Sequence, residues 1–210
     1  MISLSEILHT IAQALLIPCL IILIVLMAGA VWQIGDIVVE YIAERRKHKC
    51  DVPQLLRDVH TAGADGLADL IETSGLLRRQ KKALLELAES RGLPKDTLTA
   101  LAERLLATEE ARNARTTSVT DMIAKLGPMF GLLGTLIPLG PGIVALGQGD
   151  TVTLSESMNV AFDTTIAGVI SAAVASVISH IRKRWYNDDM VSLETLMEAV
   201  LEEVTADVEG

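Results

Sequence analysis

The residues most able to do chemistry are polar groups that lie inside long apolar segments. Thr135 lies in the uncharged segment 126–149, and Asp163, Thr164 and Thr165 lie in the apolar segment 157–181. A polar group in an apolar surrounding costs free energy, so its presence there indicates a function. Hydroxyl and carbonyl oxygens are suited to holding water or a hydrated cation, and a carboxylate is suited to carrying a proton. These residue types favour ion or proton transfer.

A proline adds a free carbonyl to the first of these segments. Pro138 has no N–H to donate to the Gly134 carbonyl, which therefore stays available next to the Thr135 hydroxyl. Two interpretations remain open: these oxygens belong to an ion pathway, or Thr135 bonds back to its own helix and the prolines only shape that helix. Asp163 likewise is either a proton site or an acid that reaches solvent or a neighbouring subunit.

Signatures of a soluble enzyme are missing from the chain. The sequence has no phosphate-binding glycine loop, no clustered His and Cys, and no nucleophile beside a base. We therefore expect no catalytic residue, no metal, no cofactor and no enzymatic activity. Cys19 lies in an apolar segment and Cys50 in a charged one, so the two cysteines predict no disulfide.

The charge distribution predicts three membrane-spanning helices. All 18 Lys and Arg lie within 45–125 or 182–184, and the apolar segments 10–35, 126–149 and 157–181 lie outside these basic blocks. Each segment is long enough to cross a bilayer core of ~30 Å as a helix. Because basic residues beside spans stay in the cytoplasm, we expect the N-terminus outside and the C-terminus in the cytoplasm. Residues 185–210 carry eight acids and no base, which argues against nucleic-acid binding.

The fold class that follows is all-α: a polytopic membrane protein with three transmembrane helices, two of which extend into a cytoplasmic helical domain. No strong helix breaker separates 94–125 from the second span, and the tail keeps the helical period of the third. Pro18 is expected to allow a kink where the chain enters the bilayer. The expected segments are an interfacial amphipathic helix 1–13, transmembrane helix 14–41, cytoplasmic helical hairpin 42–122, transmembrane helix 123–147, external loop 148–157, transmembrane helix 158–181 and acidic cytoplasmic helix 182–210.

Small residues predict where the spans pack against one another. Gly127 and Gly131 lie on one face of the second span, and Gly168 and Ala172 lie at helical spacing in the third. Small side chains allow helix backbones to approach closely inside a membrane. We expect these four residues to form helix contacts in an oligomer.

Two short motifs in these spans resemble those of the MotA/TolQ/ExbB proton-channel family. Residues 131–135 read Gly-Leu-Leu-Gly-Thr, and residues 161–168 read Ala-Phe-Asp-Thr-Thr-Ile-Ala-Gly. They resemble that family's Gly-Leu-Leu-Gly-Thr signature and its Ala-Leu-x-x-Thr-Ala-x-Gly-Leu segment. The order of spans and cytoplasmic parts is similar too. Pro138 departs from the family, which usually has glycine there.

The resemblance implies an inner-membrane complex in which a homopentamer of this chain surrounds two copies of a single-span partner. A membrane aspartate of that partner, of the ExbD/TolR/MotB type, carries the proton. The matched residues Thr135 and Thr165 are expected to face the pore, and Gly134, Thr164 and Asp163 are candidate additional polar groups. Spacing to Gly168 favours Thr165 over Thr164.

The resulting functional hypothesis is a pore or stator subunit of an ion-driven motor, with the proton as the expected ion. Such a motor is expected to use the proton motive force for ion transport and to power protein transport. The alternative is a non-conducting helical membrane scaffold that assembles with other membrane proteins.

Overall fold

The computed structural model describes residues 4–42 and 51–209, and throughout that part of the chain the regular elements are helices, with no strand. The basic positions 45–49 and Cys50 lie outside the described residues. The helices are α1 (Leu4–Ala14), α2 (Leu16–Glu40), α3 (Val52–Thr73), α4 (Arg78–Glu89), α5 (Lys95–Gly147) and α6 (Thr151–Glu209).

Three of the helical stretches are long and apolar enough to cross a membrane: Glu6–Glu40, Lys95–Gly147 and Thr151–Ala206. The all-α membrane fold is thereby confirmed. The chain divides into two compact units. Unit 1 comprises Met1–Asp36 and Thr117–Ile181, and unit 2 comprises Ile37–Thr116 and Arg182–Gly210. Both α5 and α6 contribute residues to each unit, as the missing breakers predict.

The break between α1 and α2 lies one turn before Pro18. Pro18 has no N–H for the carbonyl of Ala14, the residue at which α1 ends. The Leu15 amide instead donates to the carbonyls of Ile11 and Ala12, at 3.1 and 3.2 Å. The proline thus ends the preceding helix and sits within the first turn of α2, where a missing donor costs least.

The connection between α5 and α6 is shorter than the expected loop 148–157, because α6 already begins at Thr151. Asp150 explains the early start: its carboxylate accepts from the amides of Val152 and Thr153, both at 3.1 Å, and caps the helix. The Thr153 hydroxyl also donates to it, at 2.6 Å, and this bond lowers the pKa of Asp150. Gly149, with φ of 77°, makes the sharp turn that precedes the cap.

Unit 2 is held by a core of aliphatic side chains from α3, α4, α5 and α6. Its fully buried members include Leu67, Leu84, Leu87, Leu98 and Leu196. The α4–α5 hairpin turns at Gly92, whose φ is 98°, and α5 follows directly after Pro94, as the Gly-x-Pro spacing predicts. In the tail part of α6, the apolar residues that recur at the helical period are therefore the ones that pack in this core.

A buried ion pair joins the end of α2 to α6 within unit 2. Arg182 Nε lies 3.1 Å from Glu40 Oε2, and the two side chains are 4% and 17% exposed. Tyr186 hydrogen-bonds to Glu40 as well; burial first and the Glu40 charge second raise the pKa of Tyr186 to about 12. Tyr41 stacks on Trp185 beside this pair, with ring centroids 6.1 Å apart.

Candidate functional site

In unit 1, α5 and α6 meet along a seam of small residues. A Cβ placed on Gly168 would lie 2.5 Å from the Gly127 carbonyl oxygen and 2.9 Å from the Gly131 Cα, and one placed on Gly127 would lie 3.1 Å from the Ala172 Cβ. These four residues are the ones expected to form helix contacts, and the structure brings them together within one chain. Only glycine permits this approach of the two backbones.

One turn after Gly131 along α5, the seam brings Gly134 against Thr164. A Cβ on Gly134 would lie 2.7 Å from the Thr164 Cβ, and the Thr164 side chain is 4% exposed. Thr164, rather than Thr165, therefore fills the seam opposite the glycines. Thr165 approaches the seam with its backbone, since its Cα would lie 3.7 Å from a Cβ on Gly131.

Thr135 and Thr165 lie on the same side of this seam. Each follows a seam residue, Gly134 or Thr164, by one position, which is a rotation of about 100° around its helix. Because α5 and α6 run antiparallel, the same rotation brings both side chains to one side of the pair. Both are half-buried.

The third helix of unit 1, α2, packs on the other side of the seam. The Cys19 thiol donates to the Phe130 carbonyl, at 3.4 Å, and Leu26 and Ala30 pack with Ile123 and Ala175. On α5, the residues that contact α2 lie on the side of the helix that comes before the seam glycines in the direction of helical rotation. Thr135 lies on the side that comes after them. The threonine side of the α5–α6 pair is thus not the side that α2 covers.

The threonine hydroxyls direct their protons into their own helices. Thr135 donates to the Leu132 carbonyl at 2.7 Å, and Thr165 donates to the Ala161 carbonyl at 3.0 Å. Thr164 shares its proton between the Val160 and Ala161 carbonyls, at 2.9 and 3.0 Å. Each hydroxyl oxygen keeps its lone pairs, so toward a neighbour these threonines act as acceptors. The back-bonding considered for Thr135 is present and leaves this acceptor function intact.

Asp163 does not join the threonines. It precedes Thr164 and is exposed, and its position in the helix is about 200° from Thr165. Gly134 and Thr164 meet in the seam, while Thr135 and Thr165 flank it. The described residues contain no group of three or more His, Cys, Asp or Glu that could hold a metal.

A sequence profile of the MotA/TolQ/ExbB proton channel family matches residues 71–195, which is more than half of the chain. The chain belongs to the MotA/TolQ/ExbB family. No curated protein gives a significant match. Membership makes this a membrane protein of a channel-type, oligomer-forming family rather than one of an enzyme family. The matched region contains α4, α5 and most of α6, and so every residue of the seam.

At the other end of unit 1, α5 and α6 enclose further polar groups, of which Asp121, Thr117 and Thr120 of α5 were not singled out by sequence patterns. The Ser179 hydroxyl donates to Asp121 Oδ1, and Ser171, Thr117 and Thr120 are buried. The antiparallel register of α5 and α6 could have predicted this contact. Each step forward along α5 is matched by a step backward along α6, so the pairing of Gly134 with Thr164 places Asp121 opposite Ser179.

Proposed function

We propose that this chain is the pore or stator subunit of an ion-driven membrane motor, with the proton as the ion. The chain would couple the gradient to movement of a single-span partner. The observation that carries the proposal is the pair Thr135 and Thr165, which share the side of the α5–α6 seam that α2 leaves uncovered. That side presents the hydroxyl oxygens of both threonines, which act as acceptors.

The assembly that fits this geometry is a homopentamer around two copies of a single-span partner, in the inner membrane, with the N-terminus outside. Such an arrangement turns the threonine side of each subunit toward a central element. The close seam supports it, because a rigid α5–α6 pair keeps both oxygens in place while the central element moves. Protein transport is one process that such a movement would power.

In this mechanism the partner's membrane carboxyl group carries the proton. When protonated, the carboxylic acid donates a hydrogen bond to the oxygen of Thr165 or Thr135, which is an acceptor because its own proton is bound to Ala161 or Leu132. When ionised, it loses that bond and moves toward water. One charge crossing 100 mV releases ~2.3 kcal/mol, enough to alternate between these two states.

The free Gly134 carbonyl supplies an additional acceptor. Pro138 lies four residues later within α5 and cannot donate to it. Water bound there would extend the chain of acceptors beyond Thr135 toward the outer side of the membrane. This contribution makes Thr135 less critical than Thr165.

Replacing Thr165 by Val tests the proposal, because valine matches threonine in volume and lacks the oxygen. With the partner co-expressed, Thr165→Val is expected to abolish proton flux into vesicles and leave assembly intact, whereas Thr165→Ser retains flux. Thr135→Val is expected to lose only part of the flux. Thr99→Val is the matched control, since Thr99 makes the same local bond, at 3.0 Å to the Lys95 carbonyl, in unit 2.

Wild-type flux from a correctly inserted Thr165→Val protein would remove this residue from the pathway. The non-conducting scaffold makes a different prediction: the wild-type complex with its partner assembles and passes no ions. Flux measured on the wild type therefore decides between the two functions before any variant is made.

A further inference from the structure

A cleft between α4 and α5 in unit 2 is lined mainly by basic side chains. Its volume is about 370 Å³, and its bases are Arg78, Arg79, Lys82 and Arg112, called here the basic cleft. Two acids, Glu86 and Glu109, also line it, so the four bases exceed the acids by two. Like charges held this close repel one another, and the arrangement is stabilised when acids are added from outside.

Three of the four bases of the cleft have no ionic partner in the part of the chain that the structure describes. Among the described residues, the side chains of Arg78, Lys82 and Arg112 form no salt bridge. Arg79 faces two ways, since it also lines the cavity around Tyr186. The positive charge of the basic cleft is thus free to attract a negatively charged surface.

The same unit carries such a surface on α6. Asp188, Glu194 and Glu198 are exposed, and they are called here the acidic face. They point away from the stripe that α6 buries in the core, which includes Leu193 and Leu196. No described base forms a salt bridge with any of these three acids. Within one chain, therefore, the acidic face and the basic cleft leave each other unpaired.

The two surfaces lie at the same level along the helices of unit 2. One cavity is bordered by Leu77 and Gln80 of α4, by Asn113 of α5, and by Asp189 and Leu193 of α6. The Gln80 Nε2 donates to the Asp189 carbonyl across it, at 3.0 Å. In sequence, Arg78 is next to Leu77 and Arg112 is next to Asn113. Asp188 is next to Asp189, and Glu194 is next to Leu193. The basic cleft and the acidic face therefore lie at the same level along the helices.

We propose that the basic cleft of one copy of this chain binds the acidic face of α6 in the neighbouring copy. The proposal rests on the homo-oligomer of the proposed function. Copies inserted in one membrane share a direction, so residues at equal height meet around a ring. Since the two surfaces differ, the contact is heterologous, and repeated contacts of that kind form a ring when the rotation between neighbours closes. Charge complementarity fixes the register between neighbours.

A charge-swap experiment on the full-length protein tests this contact. Arg78→Glu with Lys82→Glu reverses the cleft, and Asp188→Lys with Glu194→Lys reverses the acidic face. Each pair is expected to weaken assembly in detergent by roughly tenfold, since like charges then face one another. All four changes together restore assembly. Arg57→Glu with Lys95→Glu is the matched control, because both residues are exposed bases of unit 2 outside the cleft.

A second measurement holds even if a reversed variant fails to fold. Two differently tagged chains, with Cys19 and Cys50 replaced by Ser, carry Lys82→Cys and Glu194→Cys respectively and are co-expressed. Oxidation is expected to yield the mixed dimer, whereas Asp58→Cys in place of Glu194→Cys, on an exposed position of α3, yields none. Absence of the mixed dimer, or unimpaired assembly of both reversed variants, overturns the proposal.

Two outcomes separate this contact from its rivals. If the cleft binds anionic lipid instead, the cleft variant loses binding to phosphatidylserine vesicles and the four changes together do not restore assembly, which overturns the contact. If the mixed dimer forms but the wild-type complex passes no ions, the contact stands and the proposed function fails. If the complex passes ions but the mixed dimer does not form, the proposed function stands and the contact between copies is overturned.

Discussion

Thr120 is a buried residue of unit 1 with an unsatisfied hydroxyl. Its side chain is 0% exposed, and among the described side chains its Oγ1 is the buried polar atom that has no hydrogen-bond partner. Burying such a group without a partner costs about 1–3 kcal/mol. Among the described residues, the Thr120 hydroxyl makes no hydrogen bond that a valine of the same shape would lose.

Thr120→Val is therefore expected to stabilise the protein by about 1 kcal/mol, because it removes the desolvation cost and keeps the volume. The thermal midpoint of the purified protein in detergent measures this. Thr117→Val is the comparison, since Thr117 is also buried but has a bonding partner. A lower midpoint for Thr120→Val would mean that the hydroxyl holds a water at that position.

At the scale of single residues, the sequence predicted which residue types form the site better than it predicted which way their side chains point. Both Thr164 and Thr165 stood out as polar groups in an apolar span, and spacing favoured Thr165 on the small-residue stripe. In the structure Thr164 fills the seam and Thr165 flanks it. A helix with apolar residues on every side has no clear polar face from which its rotation can be predicted. The sequence pattern alone therefore does not decide which of two adjacent residues, about 100° apart, points into the seam.

Among elements, the α5–α6 pair depends on glycines where the backbones touch. Gly168→Ala puts a methyl group against the Gly127 carbonyl, at a distance of 2.5 Å unless the helices separate. We expect a loss of roughly 1–3 kcal/mol from overpacking. Separation of the helices would also displace Thr135 and Thr165, so proton flux should fall with stability.

Gly140→Ala is the matched control for this change. Gly140 lies in α5, the other helix of the pair, and a Cβ there would meet nothing within 4 Å. Alanine in a helix interior is more favourable than glycine by roughly 0.5–1 kcal/mol, so this variant should be slightly more stable than the wild type. Equal thermal midpoints for the two variants would refute the close seam.

The end of α2 is fixed to α6 by Glu40 and Arg182, and this pair makes a second prediction for elements. Glu40→Gln removes the negative charge that faces Arg182, whose side chain is 4% exposed. Breaking a buried pair in this way costs roughly 3–5 kcal/mol. Glu103→Gln, at an exposed position of α5, should change the thermal midpoint little. A midpoint shift no larger than that of the control would show that the pair is solvated.

Element order followed from the sequence, whereas several element ends did not. The continuity of α5 and α6 was predictable because no breaker interrupts them before residue 128 or after residue 151. Side-chain capping by Asp150 and backbone bonding at Leu15 set the other ends. Such ends depend on single hydrogen bonds, which hydrophobic periodicity does not report.

At the scale of the whole molecule, orientation in the membrane is the prediction on which the proposed mechanism depends. Positive charge beside the spans predicts that α3 and α4 lie in the cytoplasm and that the turn between α5 and α6 lies outside. The proposed mechanism needs this orientation, because the proton would have to enter near the turn and leave on the cytoplasmic side for the gradient to drive movement.

Cysteine labelling of intact cells tests the orientation. With the native Cys19 and Cys50 replaced by Ser, Gly149→Cys and Thr151→Cys are expected to react with a membrane-impermeant maleimide from outside. Lys82→Cys and Glu198→Cys should react only after the membrane is opened. All four positions are exposed, so accessibility reports the side of the membrane rather than burial in the fold. The reversed pattern would place the acidic face of α6 outside, and the basic residues that flank the spans could then no longer account for the direction of insertion.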